Sequence, residues 1–324
     1  MKKILKNRSL LTLLSLLAVF LVIILFQLYA DTSVTEKRKK VSLIVYGDDA
    51  ERWENLRQGA DLVCNDKNAD ISMITMLTED DVIEQEEIIE RETADGADAL
   101  IIAACNSKEI MDYLNSRKLK IPVMFIGSMN DDKEKKICIC ADDYQMGYDL
   151  GQAIVENESD IVTVSVISEN IQRDSVALRE KGLRDAIEGK VGRIISWSRT
   201  EGERSVNNRV FVQRALVSQA TDIIVTLDDP TTDALLDALV NLNKHSKIYS
   251  ISTSDKAVYN LYDKEVKTLV YPDEFSMGYL AAMYVLDRSD AAKRYSGKEI
   301  DYRVVRKENM YDEDNQALLF PFVN

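Results

Sequence analysis

The chain has 324 residues, a formal net charge of −14 at pH 7 and 46% hydrophobic residues. Single hydrophobic cores stop growing near about 250–300 residues, so this length favours two lobes over one. The acidic balance excludes nucleic acid as a partner, because nucleic-acid phosphates require a basic protein surface.

The N-terminal segment has the pattern of a membrane anchor. Residues 1–9 carry four basic side chains and no acid, and residues 10–30 form an uncharged run of 21 residues. At about 1.5 Å per residue this run covers the roughly 30 Å core of a bilayer, whereas secretory signals have apolar cores of only roughly 7–15 residues. We therefore predict a cytoplasmic tail, an uncleaved transmembrane helix over 10–30 and an extracytoplasmic remainder. The alternative is cleavage after Ala30, although Leu28 is bulky where a small residue is usual.

Residues 31–40 are polar, end in four basic residues and are predicted as a linker to a domain over 41–324. In that domain short apolar runs alternate with stretches of helical periodicity, which is typical of βα units around parallel sheets. The predicted strands of a first series are 41–46, 71–76, 99–103 and 123–126, and those of a second are 161–167, 193–197, 222–227 and 247–251. The fold class is therefore α/β with two doubly wound parallel-sheet lobes, and ligands of such sheets bind outside the carboxyl ends of the strands.

Residues with catalytic or metal-binding chemistry are sparse. The cysteines are Cys64, Cys105, Cys138 and Cys140, with no C-x-x-C spacing, and His245 is the sole histidine. We interpret the cysteines as small apolar residues, and we predict neither a metal site nor a Ser-His-Asp triad. Because dinucleotide, P-loop and nucleophile-elbow motifs are also absent, the sequence predicts a protein without a cofactor that is not an enzyme.

Several local motifs appear in a characteristic order. They are Ile121-Pro122-Val123, the segment 141–151, Leu178-Arg179-Glu180-Lys181-Gly182-Leu183, Asp228-Asp229, Tyr271-Pro272-Asp273 and Glu308-Asn309. Together with the order of elements, they resemble the type I periplasmic solute-binding proteins, specifically the ribose- and galactose-like sugar-binding branch. The resemblance covers residues 41 to 322.

The resemblance implies a hinge of three chain crossings between two lobes. Lobe 1 would hold about 41–129 and 273–290. Lobe 2 would hold about 130–272 and 291–324, with residues 302–305 as its last strand. A small polar ligand would be enclosed between the lobes as they close.

The resemblance also implies a set of ligand-binding residues. The candidates are Asp49, Trp53, Asn106, Ser128, Arg179, Asp228, Ser252 and Tyr271. Sugars stack on aromatic rings and pair their hydroxyls with planar polar groups, which suits Trp53, Arg179 and Asp228. For each of these an ordinary explanation stays open: helix packing for Trp53, a solvated side chain for Arg179, and, beside Asp228, N-capping of the next helix by the segment 229–232.

Three positions depart from the typical sugar binder. Gly127-Ser128 and Ser252 stand where the family usually has acids, and Tyr271 stands where it has glutamine. The resemblance therefore implies the fold and a small polar ligand, most simply a carbohydrate, but not a common pyranose.

The sequence thus predicts a membrane-tethered binding protein whose partner is an ABC permease or a sensor histidine kinase, with sensing favoured. A protein-interaction domain with a degenerate pocket is the alternative. A repressor of the lac type, which shares the fold, is excluded because the predicted membrane span occupies the place of its DNA-binding helices.

Overall fold

The computed structural model describes residues 16–24, 37–127, 138–159, 161–200, 206–287 and 300–320. The chain divides into two compact units, Met1–Arg38 and Lys39–Asn324. In the first unit, residues 16–24 form a helix, α1, whose side chains are exposed. The remainder of the predicted anchor over 10–30, and residues 31–36 of the predicted linker, lie outside the described residues. Within the described ranges, no helix combines the length and the apolar character needed to cross a membrane.

The second unit alternates strands with helices, as the sequence pattern predicts. The strands are β1 (Lys39–Val45), β2 (Ala69–Thr75), β3 (Ala99–Ala103), β4 (Val123–Ile126), β5 (Cys138–Ile139), β6 (Thr163–Ile167), β7 (Arg193–Trp197), β8 (Ile223–Thr226), β9 (Lys247–Ile251), β10 (Val266–Pro272) and β11 (Tyr302–Val305). The helices are α2 (Glu54–Asp66), α3 (Val82–Ala94), α4 (Ser107–Arg117), α5 (Asp143–Asn157), α6 (Asp174–Ile187), α7 (Asn208–Ser218), α8 (Asp229–Leu242), α9 (Asp255–Tyr262), α10 (Glu274–Leu286) and α11 (Glu313–Leu319).

Two sheets organise these strands. The first has the order β2-β1-β3-β4-β5 with all pairs parallel, and the second has the order β11-β10-β9-β8-β6-β7, parallel except for the antiparallel β10–β11 pair. In each sheet the strand order reverses at the first strand of the series, which defines a switch point beside β1 and another beside β6. The prediction of two doubly wound lobes is confirmed.

The sequence determines these elements through burial and capping. All five residues of β3 are buried, as expected for a strand covered by helices on both faces. Seven helices begin after a residue whose side chain accepts a hydrogen bond from the backbone amide three residues on, which satisfies one of the unpaired N–H groups of the first turn. These residues are Asp81, Asn106, Asp142, Asn207, Asp228, Ser254 and Asp273.

The lobes are joined where the chain passes between the sheets. The chain passes from lobe 1 to lobe 2 after β5. It returns to lobe 1 between β10 and α10, and it enters lobe 2 again after Ile300, at β11. These crossings are hydrogen-bonded to each other, because the Ile300 amide donates to the Cys140 carbonyl at 3.0 Å and the Asp273 amide donates to the Asp301 carbonyl at 3.0 Å. A three-stranded hinge therefore connects the lobes.

The boundary predicted between residues 129 and 130 is too early. β5 pairs in parallel with β4, so the first sheet extends to Ile139. β5 has only two residues, too few for a periodic signal, which is why the sequence pattern did not reveal it. The predicted last strand over 302–305 is confirmed as β11, the edge of the second sheet.

Candidate functional site

The cleft between the lobes is lined by loops at the carboxyl ends of the strands. In lobe 1 these are the loops after β1, β2, β3 and β4, and in lobe 2 they are the loops after β6, β8 and β9. The two lobes meet directly there: the Ser107 amide donates to the Gln172 carbonyl at 3.1 Å, and the Asp174 amide donates to Ser107 Oγ at 3.0 Å. The structure is thus a closed arrangement of the two lobes.

Trp53 forms part of the lobe 1 wall, at the end of a short 3-10 helix over Glu51–Trp53. Its indole Nε1 donates to the Tyr46 carbonyl at 3.2 Å, and the two rings pack edge to face with centres 4.9 Å apart. The indole is buried, so packing and cleft lining coincide at this residue. Two aromatic rings therefore form one wall of the cleft.

Arg52 extends from the same 3-10 helix towards lobe 2. Its Nη2 lies 2.7 Å from Asp229 Oδ2 and 3.6 Å from Glu274 Oε1, and its Cζ lies 3.7 Å from the centre of the Trp53 ring. Burial alone would lower the pKa of Arg52, but nearby negative charge outweighs it and raises the pKa. Arg52 is consequently a fixed cation that links the two lobes.

Arg173 makes the equivalent link from lobe 2. Its Nη2 lies 2.7 Å from Glu79 Oε2 in lobe 1, and its Nη1 lies 3.2 Å from Asp228 Oδ2 in lobe 2. Its Cζ lies 3.7 Å from the centre of the Tyr46 ring. The side chain is only 2% exposed. Burial is the main reason why the pKa of Glu79 is raised, although Arg173 opposes that effect.

The adjacent acids Asp228 and Asp229 have divided roles. Asp228 is the N-cap of α8, accepting from the Thr231 amide at 3.1 Å, and it also accepts from Asn170 Nδ2 at 2.7 Å. Asp229 follows the cap and accepts from Ser252 Oγ at 2.5 Å. The sequence favoured Asp228 as the ligand-binding acid and assigned capping to the segment that begins at Asp229. The observed cap is Asp228, because α8 begins one residue earlier than that reading assumed.

Arg179 lies on α6 and lines the cleft from lobe 2. Its Nε donates to Asp143 Oδ1 at 2.7 Å, and its Nη1 donates to the Leu227 carbonyl at 2.9 Å. Both partners belong to lobe 2, so these contacts hold the guanidinium in place without any contribution from lobe 1. Arg179 is therefore a positioned group, and not the solvated helix-surface residue of the alternative reading.

A cavity of about 50 Å³ remains between the lobes. This volume holds a few water-sized molecules, whereas pockets for small organic ligands are typically about 300–1,000 Å³. The polar and aromatic residues of its lining are Tyr46, Arg52, Trp53, Ser107, Phe125, Arg173, Ser175, Arg179 and Glu274. The closed cleft is therefore largely filled by its own side chains.

The other predicted residues do not line this cavity. Asp49 Oδ1 accepts from the Glu51 amide at 3.0 Å at the start of the 3-10 helix, and Asn106 caps α4 by accepting from the Glu109 amide at 3.1 Å. Both side chains are used in capping, which polar residues at strand-to-helix turns commonly perform.

Ser252 and Tyr271 are also bound to protein groups. The Ser252 hydroxyl donates to Asp229, as described above. Tyr271 packs in the lobe 2 core, and its hydroxyl accepts from Asn55 Nδ2 at 3.3 Å. Burial raises the pKa of the Tyr271 phenol. The remaining prediction, Ser128, lies outside the described residues.

Sequence reasoning missed most residues of the cleft, including three charged residues and one tyrosine. Tyr46, Arg52, Arg173 and Glu274 all border the cavity. A usable signal existed for two of them, since Tyr46 directly follows β1 and Arg173 lies in the loop after β6, and these are the strands at the two switch points. Arg52 and Glu274 belong to charged segments that resemble solvated surface.

The chain has clear relatives among known families and folds. Residues 41–293 match the family model of the periplasmic binding protein domain. No curated protein has a recognisable sequence match to the chain.

Solved structures with the same fold align with this chain over nearly their whole length. GanP, a glucose-galactose binding protein from Geobacillus stearothermophilus, has 17% identity and a TM-score of 0.69, covering 85% of this chain and 100% of that one. A carbohydrate transporter solute binding protein from Agrobacterium radiobacter, in complex with D-arabinose, has 19% identity and a TM-score of 0.72, covering 88% and 100%. A XylFII-LytSN complex has 17% identity and a TM-score of 0.67, covering 84% and 98%.

At these identities the structural likeness establishes the fold, and the family match, which spans well over half of the chain, establishes the relationship. The resemblance to type I periplasmic solute-binding proteins that the motif order indicates is confirmed. The chain belongs to the periplasmic binding protein domain family.

Proposed function

We propose that this protein is an extracytoplasmic solute-binding protein that encloses a sugar or similar small polar ligand between its lobes. One observation supports this function most strongly: polar and aromatic side chains from both lobes converge on one interlobe cavity at the carboxyl ends of the strands. Trp53 and Tyr46 contribute aromatic rings to the cavity wall, and Arg179 contributes a positioned group of N–H donors. The protein acts by binding and not by catalysis.

Ligand binding in this proposal is a two-state hinge motion. The ligand stabilises the closed arrangement by the difference between its affinities for the closed and open forms. The similar structures support a carbohydrate ligand, because one of them contains D-arabinose and another contains D-fucose.

The proposed location is the outer face of a cell membrane. The basic residues 1–9 followed by the uncharged run 10–30 support a single-pass anchor, and the family description supports an extracytoplasmic domain. Extraction of membranes with alkaline carbonate tests the anchor. The full chain should remain in the pellet, and release into the supernatant would contradict the anchor without affecting the binding function.

The proposed partner is a membrane protein that detects lobe closure, either a sensor kinase or an ABC permease. The XylFII-LytSN complex supports the view that this fold can hold a stable protein partner. A permanent anchor favours sensing, because a tethered binding domain stays beside its partner.

A thermal-shift screen of the purified full chain tests the binding function. The panel contains pentoses, hexoses, their polyols and their acids, and a true ligand raises the melting midpoint as its concentration exceeds Kd. Arg179→Lys should lose most of the shift, because lysine lacks the planar fork. Arg184→Lys is the matched control, since Arg184 lies on the same helix but pairs with Glu180 outside the cavity.

A second candidate is a protein-interaction domain that binds no small molecule. It is favoured by the small cavity and by the pairs Arg52–Asp229 and Arg173–Glu79, which join the lobes through the protein's own charges. The absence of a shift with every compound of the panel would support this candidate and refute the first.

A further inference from the structure

The acids at the lobe 2 side of the cleft already have hydrogen-bond partners within the protein. Asp229 accepts from Ser252 Oγ at 2.5 Å, from the Thr253 amide at 2.6 Å and from the Ser254 amide at 3.0 Å, in addition to its pair with Arg52. Burial disfavours ionisation of Asp229, but Arg52 and these donors hold its pKa below the usual range. Asp229 is therefore ionised and has little accepting capacity left for a ligand.

Asp228 is similarly occupied. It accepts from Asn170, Thr231 and Arg173, and its side chain is 3% exposed. These two carboxylates, which would be natural acceptors for sugar hydroxyls, are thus committed to the fold and to the interlobe pairs. A ligand must be recognised mainly by other groups.

Among the described residues that line the cavity, the buried side-chain atoms without a partner are three guanidinium nitrogens and one acceptor, Glu274 Oε2. The nitrogens are Nε and Nη1 of Arg52 and Nε of Arg173. Both guanidiniums line the cavity, and that of Arg173 is 98% buried, given its 2% exposure. A buried donor without a partner costs about 1–3 kcal/mol, so a ligand that supplies acceptors here gains affinity.

The two guanidiniums also cover the aromatic surface. Arg52 Cζ is 3.7 Å from the Trp53 ring centre, and Arg173 Cζ is 3.7 Å from the Tyr46 ring centre. Arg52 Cζ is 5.6 Å from the Tyr46 ring centre, so both cations flank one tyrosine. The guanidiniums therefore occupy the ring faces, and a ligand in the cavity would meet cations in place of an open aromatic face.

The charges around the cavity are largely paired within the protein. The pairs are Asp229 with Arg52, Asp228 and Glu79 with Arg173, and Asp143 with Arg179. Three arginines line the cavity, and Glu274 is the one carboxylate among the described lining residues. Burial raises the pKa of Glu274 to about 7, with Arg52 opposing the shift, so part of the population carries a proton at neutral pH. A protonated Glu274 is itself a donor.

We propose that the ligand of this cleft carries a carboxylate, as a sugar acid does, and that Arg52 and Arg173 bind that carboxylate. The inference rests on the proposed function and specifies its ligand class. A guanidinium is donor-only and an ionised carboxylate brings only acceptors, so a carboxylate suits the unused N–H groups of Arg52 and Arg173. A neutral sugar hydroxyl fits less well, because each hydroxyl also brings a proton that needs an acceptor. Since the closed cavity is only about 50 Å³, the ligand enters when the lobes separate and the Arg52–Asp229 pair opens.

Isothermal titration of the full chain with matched probes tests the inference. The pairs are D-glucuronate against D-glucose and D-galacturonate against D-galactose, at constant ionic strength and pH 7.5. We expect at least one acid to bind at least tenfold more tightly than its neutral parent. Arg52→Lys and Arg173→Lys, which keep the charge but lose the fork, should each reduce this preference at least tenfold.

Arg199→Lys is the matched control, because Arg199 forms a comparably buried pair with Glu169 but does not line the cavity. It should leave the preference for the acid unchanged. Circular dichroism establishes that each variant is folded before titration, and Arg52→Lys provides a second test if Arg173→Lys does not fold.

The possible outcomes separate the two proposals. If a neutral sugar of the screening panel binds and no uronate binds more tightly, the carboxylate inference is overturned and the binding function stands. If folded Arg52→Lys retains the full preference for the acid, the assignment of the carboxylate to these arginines is overturned. If no compound of the panel binds, the binding function itself fails.

Discussion

Each lobe contains a helix crossing that depends on a glycine, but the two crossings position different parts of the cleft. In lobe 1, α2 crosses α10 so closely that a Cβ on Gly59 would lie 1.9 Å from the Phe275 carbonyl oxygen. In lobe 2, α5 crosses α6 so closely that a Cβ on Gly147 would lie 1.9 Å from the Arg179 carbonyl oxygen. Only glycine permits such backbone contact.

The difference lies in what each contact positions. The lobe 2 contact is made by the backbone of Arg179 itself, so the helix spacing directly fixes a cavity-lining guanidinium. The lobe 1 contact is made by Phe275, which follows the cavity-lining Glu274 at the hinge. Helix packing in lobe 2 thus sets the wall of the cleft, whereas in lobe 1 it sets the start of a hinge helix.

The largest expected effect comes from Gly147→Ala. The added Cβ meets a backbone atom that no rotamer change can move, so we expect destabilisation of about 3 kcal/mol or more, the upper end of overpacking costs. Gly59→Ala should destabilise the fold to a similar degree. Urea denaturation followed by circular dichroism measures both, with Gln152→Ala on α5 as the control for helix substitution.

The same pair of variants tests whether the lobes unfold together. Because Arg52 and Arg173 join the lobes, each variant should shift a single cooperative transition. Two separate transitions, with only the mutated lobe affected, would show that the interlobe pairs contribute little.

The next effect distinguishes the two interlobe arginines. Arg173→Ala leaves Asp228 and Glu79 without their cation. Because the Glu79 side chain is 35% exposed, we expect a loss of about 3 kcal/mol, the lower end for a broken buried pair. Arg52 is 14% exposed, and its partner Asp229 retains three other donors, so Arg52→Ala should cost less, about 1.5–3 kcal/mol.

Midpoints of urea denaturation at pH 7 compare these variants, with Arg209→Ala as the surface control, since its pair with Asp237 is 61% exposed on the arginine side. If Arg52→Ala lowers the free energy of unfolding as much as Arg173→Ala or more, then Arg52, and not Arg173, is the main link between the lobes.

The sequence predicted the fold better than the site, for physical reasons. Strands such as β3 are recognisable because complete burial requires a continuous apolar run, and that requirement is local. β5 escaped prediction because its two residues derive their position from pairing with β4, a contact distant in sequence. The sequence pattern therefore fails at β5, where a tertiary contact replaces local pattern. The strand β10, whose apolar residues do form a local pattern, was also not among the predicted strands.

The site depends on choices that the sequence leaves open. Asp49 and Asn106 follow strands, as ligand-binding residues do, but capping requires the same residue types at the same place. Which acid of Asp228-Asp229 caps α8 depends on where the helix begins, and that boundary shifts by a residue with tertiary packing. Arg52 resembles a solvated residue until the second lobe closes over it.

The last expected effect, which appears only when the pH is changed, concerns Glu274. Burial raises the pKa of this carboxyl from 4.5 to about 7, with Arg52 opposing the shift and Asp229 adding to it. The folded protein therefore binds this proton more tightly than the unfolded chain does. The stabilisation is fully present below about pH 4.5 and is lost as pH rises to about 7, at up to about 1.4 kcal/mol per pH unit.

Glu274→Gln removes the titrating proton, so the melting midpoint should fall less between pH 5 and pH 7 in this variant than in the parent protein. Asp233→Asn is the matched control, because burial raises the pKa of Asp233 to about 6, and this acid lies outside the interlobe cavity. Its effect should be confined to pH values below about 6.5. Parallel curves for Glu274→Gln and the parent would mean that Glu274 stays ionised beside Arg52, and the cavity would then lose the donor that a protonated Glu274 provides.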